Sequence, residues 1–247
     1  MKFEWIVYHA YENGFKTIGR QVLMEPVKWH RDGWLKVLPE SGATGDTSIQ
    51  AGMPRGLDVA DDFSGSAIGI QWQFWSEYEP GRCKFNNNLL ILKGKGSSPS
   101  DSAPLTCIVG DHAYKITVDI EIDGDSEAGL LLFYNSSCCV AVSVRRQGCR
   151  LGLRGQMMHF YYPASQAMTL KILNEYNEVD FWIAPIGQPL RELPESADVS
   201  GYHHENFGGF LSLRPGLFVQ ETDIPVSATS ATIRSNDSVF VRLPASS

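Results

Sequence analysis

Tyr114-Lys115-Ile116-Thr117-Val118-Asp119-Ile120-Glu121-Ile122 alternates without a break: Ile116, Val118, Ile120 and Ile122 fall on one side, Lys115, Thr117, Asp119 and Glu121 on the other. Successive side chains of a strand point to opposite faces, so this pattern predicts a strand with one face on a core and one toward water. The run that follows, Gly129-Leu130-Leu131-Leu132-Phe133-Tyr134, is apolar on both sides. It predicts a central strand whose outer side is covered or forms a binding surface. Ile116, Val118, Ile120, Leu130, Leu132 and Phe133 are therefore the expected core. Further turn-separated runs of strand character lie at 68–75, 89–93, 105–109, 140–145, 149–153, 168–174, 178–183, 208–213 and 238–243, with no long helical stripe among them. The expectation is all-β: an antiparallel two-sheet sandwich with a single core.

Composition permits this and excludes much else. The chain has 247 residues, 43% of them hydrophobic and 20% charged, with a net charge of −7. That is the profile of a folded globular protein rather than a disordered or collagen-like one. The acidic balance argues against a nucleic-acid partner, whose phosphates call for basic patches. No uninterrupted apolar stretch reaches the length of a membrane-crossing helix. The basic cluster Arg145-Arg146 with Arg150 and Arg154 reads as a solvated strand face in preference to an anion site. Cys83, Cys107, Cys138, Cys139 and Cys149 are odd in number and lack zinc-type spacing. They read as buried thiols, with room for one non-essential disulfide.

At the other end of the chain, residues 3–11, 19–29 and 32–37 read as consecutive strands joined by Gly-bearing turns. Three strands make no independent sheet core, so the chain reads as starting inside a longer protein, and its localisation, bacterial cytoplasmic or secreted, depends on what precedes. Pro39 to Gly56 is small, polar and aperiodic, a linker pattern. The expected division is a remnant at 1–38, a linker at 39–56 and a sandwich at 57–247. Trp5, Trp29, Trp34, Phe3, Phe15 and Tyr8 crowd the first segment. Such a surface is expected either to fold back on the sandwich or to pair with a second copy in a homodimer.

Tyr8-His9-Ala10-Tyr11, Gly19-Arg20, Met24-Glu25-Pro26-Val27-Lys28-Trp29 and Asp32-Gly33-Trp34, in that order and spacing, closely resemble the last blade of the five-bladed propeller of glycoside hydrolase family 43. Asp61-Asp62-Phe63-Ser64-Gly65, Gly69-Ile70-Gln71-Trp72-Gln73-Phe74, Leu92-Lys93-Gly94-Lys95-Gly96 and Ala128 to Asn135 resemble the concanavalin-like, jelly-roll sandwich appended to β-xylosidases and α-L-arabinofuranosidases of that family. This sandwich is also grouped as carbohydrate-binding module family 91. The resemblance implies a non-catalytic, xylan- or arabinan-associated domain of an inverting glycoside hydrolase. The acid and base of an inverting enzyme flank the scissile bond about 6.5–9.5 Å apart, and in that family they come from earlier blades. No residue here is carried over as catalytic, and Glu25 belongs to the last-blade strand rather than being the family's acid. Two other readings stand beside this one: a structural domain that buttresses the propeller, and an independent small glycosidase or esterase. The sequence holds no Gly-x-Ser-x-Gly elbow, and Ser64 has no local base.

Several residues are singled out as site candidates. His9 matches the histidine that faces the propeller axis in complete enzymes, against a plain strand histidine. Aromatic rings offer flat platforms for sugar C–H faces, which nominates Trp72, Trp75, Tyr161, Tyr162, Trp182, Tyr202 and His203 for carbohydrate binding, each weighed against core filler. Trp72 and Trp75 are three apart, so one is expected in the core and one near solvent. Calcium seeks several oxygen ligands, and related sandwiches carry one structural calcium. This nominates Asp62 with Asp223, or with Asp237, against Asp62 capping a turn ahead of Phe63. The resemblance implies no other cofactor. At the C-terminus, Ile233-Arg234-Ser235-Asn236-Asp237-Ser238-Val239-Phe240 stands where the resemblance implies an aromatic-rich last strand, which leaves the closing strand open.

Overall fold

A computed structural model of the chain describes residues 4–11, 14–38, 59–122, 126–153, 156–160, 167–209 and 211–220, together with the backbone of 230–234. The linker expected at 39–56 and the strand expected at 238–243 lie outside the described residues. Strands β1 (Glu4–Ala10), β2 (Gln21–Trp29) and β3 (Leu35–Val37) form an antiparallel sheet in that order. Its register sets Trp5 opposite Pro26, Val7 opposite Met24 and His9 opposite Val22, and directly opposed residues share a face. Trp5, Val7, Val22 and Met24 are all exposed there.

The remaining strands build two stacked sheets. The seven-stranded sheet runs β12 (Gln156–Phe160), β11 (Gly148–Leu153), β10 (Cys138–Arg145), β9 (Glu127–Asn135), β17 (Arg214–Gln220), β7 (Leu105–Cys107), β4 (Trp72–Phe74). The eight-stranded sheet runs β15 (Arg191–Glu192), β14 (Glu178–Pro185), β13 (Ala167–Glu175), β8 (Ala113–Ile122), β18 (Ser230–Arg234), β6 (Leu89–Lys93), β5 (Cys83–Asn86), with β16 (Ala197–Asp198) also paired to β14. All pairings are antiparallel, and β8 and β13 cross over β9 and β10. One short helix, α1 (His204–Phe207), and a 3-10 turn at Pro80–Arg82 complete the elements.

Alternation fixes what lies between the sheets. Ile116, Val118, Ile120 and Ile122 of β8 meet Leu130, Leu132 and Tyr134 of β9 in one core with Leu170, Ile172, Phe181 and Ile183. The six residues expected to be core are at most 3% exposed. On its polar side β8 is half-buried rather than fully wet, and Asp119 accepts a hydrogen bond from Thr169 Oγ1 at 2.6 Å. Strand β9 is buried on its other side too. Leu131 and Phe133 join Ala141 and Phe218 in a second apolar cluster, and Trp75 sits edge-on to Phe133 with centroids 4.9 Å apart. Gly129 lies beneath this cluster; a Cβ there would stand 2.1 Å from the Val142 carbonyl oxygen and 2.9 Å from the Phe218 ring.

At one end of the same face Glu127, 1% exposed, accepts hydrogen bonds from Ser143 Oγ (2.6 Å), Arg150 Nη1 (2.8 Å) and Gln220 Nε2 (2.7 Å). A buried carboxylate is tolerable only when paired and bonded in this way. Arg150 is thus half of an internal ion pair and not part of a solvated basic face, while Arg154 lies outside the described residues. Arg82 spans the opposite edge, donating to the carbonyls of Lys93, Ala103 and Ser102 at 3.0–3.1 Å.

Three sequence expectations change. The run at 208–213 is not a strand: Gly208 and Gly209 take φ of 70° and 72°, which breaks extension, and the strand starts at Arg214. The run at 68–75 keeps only Trp72–Phe74 as strand. All five cysteines are free, so the allowed disulfide does not form. Burial pushes Cys83 and Cys139 to about 11 and Cys107, Cys138 and Cys149 to about 12, which keeps all of them as inert thiols.

Because Phe181 is fully buried and Val22 is 77% exposed, Phe181→Ala is expected to cost about 3–5 kcal/mol and Val22→Ala less than about 0.5 kcal/mol in urea unfolding. Gly129→Ala should destabilise through backbone displacement. An unchanged midpoint for Gly129→Ala would overturn the close packing described for that face.

Candidate functional site

The loop between β1 and β2 leaves its sheet and lies on the sandwich. The Thr17 carbonyl accepts the Leu213 N–H at 2.6 Å, and Thr17 Oγ1 donates to Asn177 at 3.5 Å. The Phe15 ring packs against His112 and Tyr176, with centroids 4.6 and 5.1 Å away. Lys16 pairs with Glu205 on the surface. Gly19 has φ +76°, and a Cβ there would come 3.2 Å from the Leu211 carbonyl oxygen, so both conformation and proximity call for glycine.

This docking leaves an open cavity of about 400 Å³ lined from both sides. His9, Tyr11 and Arg20 come from the small sheet and its loop, and His204, Ser212 and Arg214 from the sandwich. His204 is gripped at both ring nitrogens: Tyr11 Oη bonds Nδ1, and Arg20 Nη2 lies 3.3 Å from Nε2. A guanidinium only donates, so in the Arg20 contact Nε2 is the acceptor. The Arg20 guanidinium also sits 5.4 Å from the Tyr11 ring centroid. Arg214 donates to Gln73 Oε1 at 3.2 Å and to Ser212 Oγ at 3.4 Å, and burial draws its pKa down. No carboxylate lines the cavity among the described residues. The arrangement can grip hydroxyl or carbonyl oxygens.

Of the nominated residues that the structure describes, His9 alone lies in this cavity. It is exposed at the end of β1. His203, its neighbour in sequence to His204, is buried with Nδ1 unpartnered, and burial, then Lys16, hold its pKa below the ordinary 6.5. Tyr202 is half-buried and edge-on to Phe207. Trp72 is core, its indole N–H donating to Asp61 Oδ2 at 2.8 Å, and Trp75 covers Phe133 on the outer face. Trp182 is not core: it lies half-buried on the outer face of the eight-stranded sheet, with Lys171 Nζ 4.0 Å from its ring centroid. The nominated aromatics are thus spread over several faces. Tyr161 and Tyr162 lie outside the described residues, as do Asp223 and Asp237.

Asp62 Oδ1 accepts the Ser64 N–H at 3.0 Å, the turn cap weighed against a metal role, and hydrogen bonding from the Ser64 side chain, then from its N–H, holds its pKa low. Both oxygens of Asp61 are engaged by Phe63, Gln71 and Trp72. Among the described residues no three His, Cys, Asp or Glu side chains converge for a metal. Sequence reasoning passed over Tyr11, Arg20, His204 and Arg214 as site residues. The available signal was the Gly19-Arg20 pair, within the stretch that resembles a last blade.

Comparison with known proteins gives the chain a context. A family model described as the β-xylosidase C-terminal concanavalin A-like domain matches residues 60–232. No curated protein matches. Similar solved structures include a xylan β-1,4-xylosidase from Bacillus halodurans (TM-score 0.72, 16% identity, covering 95% of this chain and 51% of that one). GH43B of the Bacteroides ovatus xyloglucan PUL (TM-score 0.72, 18% identity) covers 98% and 51%, and the GH43 protein BlXynB from Bacillus licheniformis (TM-score 0.70, 17% identity) covers 94% and 50%. The chain spans about half the length of these structures.

Two measurements probe the docking. Phe15→Ala is expected to speed hydrogen exchange of the Leu213 amide while leaving core amides of β9 protected; equal protection in both variants would show that the Phe15 contact does not hold the loop. For His203, a folded pKa below 6.5 means that the unfolded chain binds the proton first as pH falls. The stability associated with neutral His203 is full above about pH 6.5 and is lost as pH drops toward the folded value. Wild type should therefore lose more Tm between pH 7 and pH 5 than His203→Gln, and parallel slopes would contradict the burial argument.

Proposed function

The chain belongs to the family of β-xylosidase C-terminal concanavalin A-like domains, and on that premise we propose that it is the non-catalytic accessory module of a family 43 glycoside hydrolase. In this reading the sandwich lends side chains to a saccharide-binding cavity at its junction with the small sheet. The observation that supports this is the shared lining: His9, Tyr11 and Arg20 from one side, His204 and Arg214 from the other. A neutral pentose polymer such as xylan or arabinan presents the hydroxyls that these donors suit. Cleavage by the family's chemistry would require two carboxylates, and none lines the cavity among the described residues. They would come from the remainder of a longer enzyme, an inverting β-xylosidase or α-L-arabinofuranosidase. The exposed Trp5, Val7, Val22 and Met24 face is where that remainder, or a second copy in a homodimer, would cover the small sheet.

The buttress reading has its own support in the Thr17, Phe15 and Lys16 contacts, which clamp the two parts without any ligand. Affinity electrophoresis of the whole chain separates the two. Retardation in xylan or arabinan gels, at least threefold weaker for Arg20→Ala and unchanged for Trp182→Ala, is expected for a saccharide cavity. Absence of retardation in either polymer, with no heat on calorimetric titration with xylotetraose or arabinotetraose, would leave the buttress alone. No pentose release from aryl xylosides or arabinosides is expected in either case, and turnover would instead point to an independent hydrolase.

A further inference from the structure

A second cleft opens on the side of the sandwich. It lies between the edge strand β12 of one sheet and β16, which flanks β14 of the other, and has a volume of about 390 Å³. Leu153, Gln156 and Met158 form one wall, and Glu195, Asp198 and Tyr202 the other. Its two halves differ in chemistry. Leu153, Met158 and Tyr202 are partly buried and rest on the main core, giving an apolar floor. Gln156, Glu195 and Asp198 are exposed on the rim.

We propose that this cleft is a subsite for a neutral saccharide, separate from the cavity beside His9. A carboxylate is acceptor-only, so Glu195 and Asp198 offer acceptor oxygens, while the Gln156 amide can both donate and accept. Among the described residues of the lining an anion would meet two negative charges and no cation. A wholly apolar ligand would strip water from the rim carboxylates without replacing it, which is costly. A sugar ring meets both halves: its hydroxyls donate to the rim, and its C–H face lies on the thioether and the Tyr202 ring. The volume falls in the range of small-ligand sites, about 300–1,000 Å³.

The walls are set before any ligand arrives. Asp198 Oδ1 accepts the Ser200 N–H at 2.8 Å, which orients the carboxylate. The Tyr202 amide bonds the Val199 carbonyl at 2.9 Å, and its ring stands edge-on to Phe207 with centroids 6.2 Å apart. Little freedom is left to Asp198 and Tyr202 to lose on binding. The segment from Glu195 to Ser212 lines this cleft with its first half and the His9 cavity with its second, so one stretch of chain carries both sites. The class of ligand rests on the saccharide reading above; the location does not.

The test is a titration of the ¹⁵N-labelled whole chain with xylotetraose, followed by amide shifts. Shifts are expected at 156–158 and 195–202, and the double variant Gln156→Ala/Glu195→Ala, both exposed positions, is expected to weaken them at least tenfold with Tm unchanged. Glucuronate at the same concentration should not produce them. Shifts confined to residues around His9, Arg20 and His204, abolished by Arg20→Ala and untouched by the double variant, would overturn this subsite and leave the accessory reading intact. No shifts with xylotetraose at either place would overturn both. Shifts at 156–158 and 195–202 with glucuronate but not xylotetraose would overturn the neutral-ligand assignment.

Discussion

Strand β9 must be covered on both sides, and much of the molecule follows from that. Leu130, Leu132 and Tyr134 face the second sheet, while Leu131 and Phe133 face away from it and are as deeply buried. Burying an apolar side chain of this size is worth about 1.5–3 kcal/mol relative to leaving it exposed, so a single sheet partner leaves half of β9 unsatisfied. The outer cover comes from Phe218 on β17 and from Trp75 just beyond β4. Phe218 can lie low only because position 129 has no side chain. Pairing β17 to β9, with Arg214 opposite Phe133, then delivers Arg214 to the wall of the cavity. One side of the site is in this sense a by-product of closing the sheet.

The other side comes from a piece with no core of its own. The three-stranded sheet keeps large apolar residues in solvent and attaches through the loop that carries Phe15, Thr17 and Gly19. The surface pair Lys16–Glu205 adds little, since exposed ion pairs are worth about 0–1 kcal/mol. The aromatic packing of Phe15 and the buried Thr17–Leu213 hydrogen bond carry the attachment, and they hold Arg20 within reach of His204.

How much of this was legible in the sequence depends on range. The alternation at 114–122 and the doubly apolar run at 129–134 are local signals, and both the sandwich and its core follow from them. The turn of Asp61 and Asp62 was legible as a cap because an Asx side chain bonds its own backbone two residues on. Strand β17 was missed because Arg214-Pro215-Gly216 reads as punctuation, whereas the sheet accepts Gly216 where a Cβ would press on Leu105 and Thr106. The cavity was out of reach for a different reason: Tyr11 and His204 are 193 residues apart, and no periodicity links them. Aromatic type was a poor guide as well, since Trp72 and Trp182 are placed by sheet faces and not by a groove. Arg150 looked solvated because its partner Glu127 lies on a different strand, beyond anything spacing alone can report.

Strand β18 sits between β6 and β8, with Ala231 between Leu92 and Ile122 and Ile233 between Leu90 and Ile120. Those two neighbours do not bond each other, so until residues 230–234 arrive the eight-stranded sheet is two fragments with facing open edges. During synthesis every other described strand of the sandwich emerges first, yet the β6–β5 fragment cannot join the rest. That junction is therefore sealed only once residues 230–234 clear the ribosome, and the waiting edges of β6 and β8 are where a nascent chain would be open to strand addition by its neighbours.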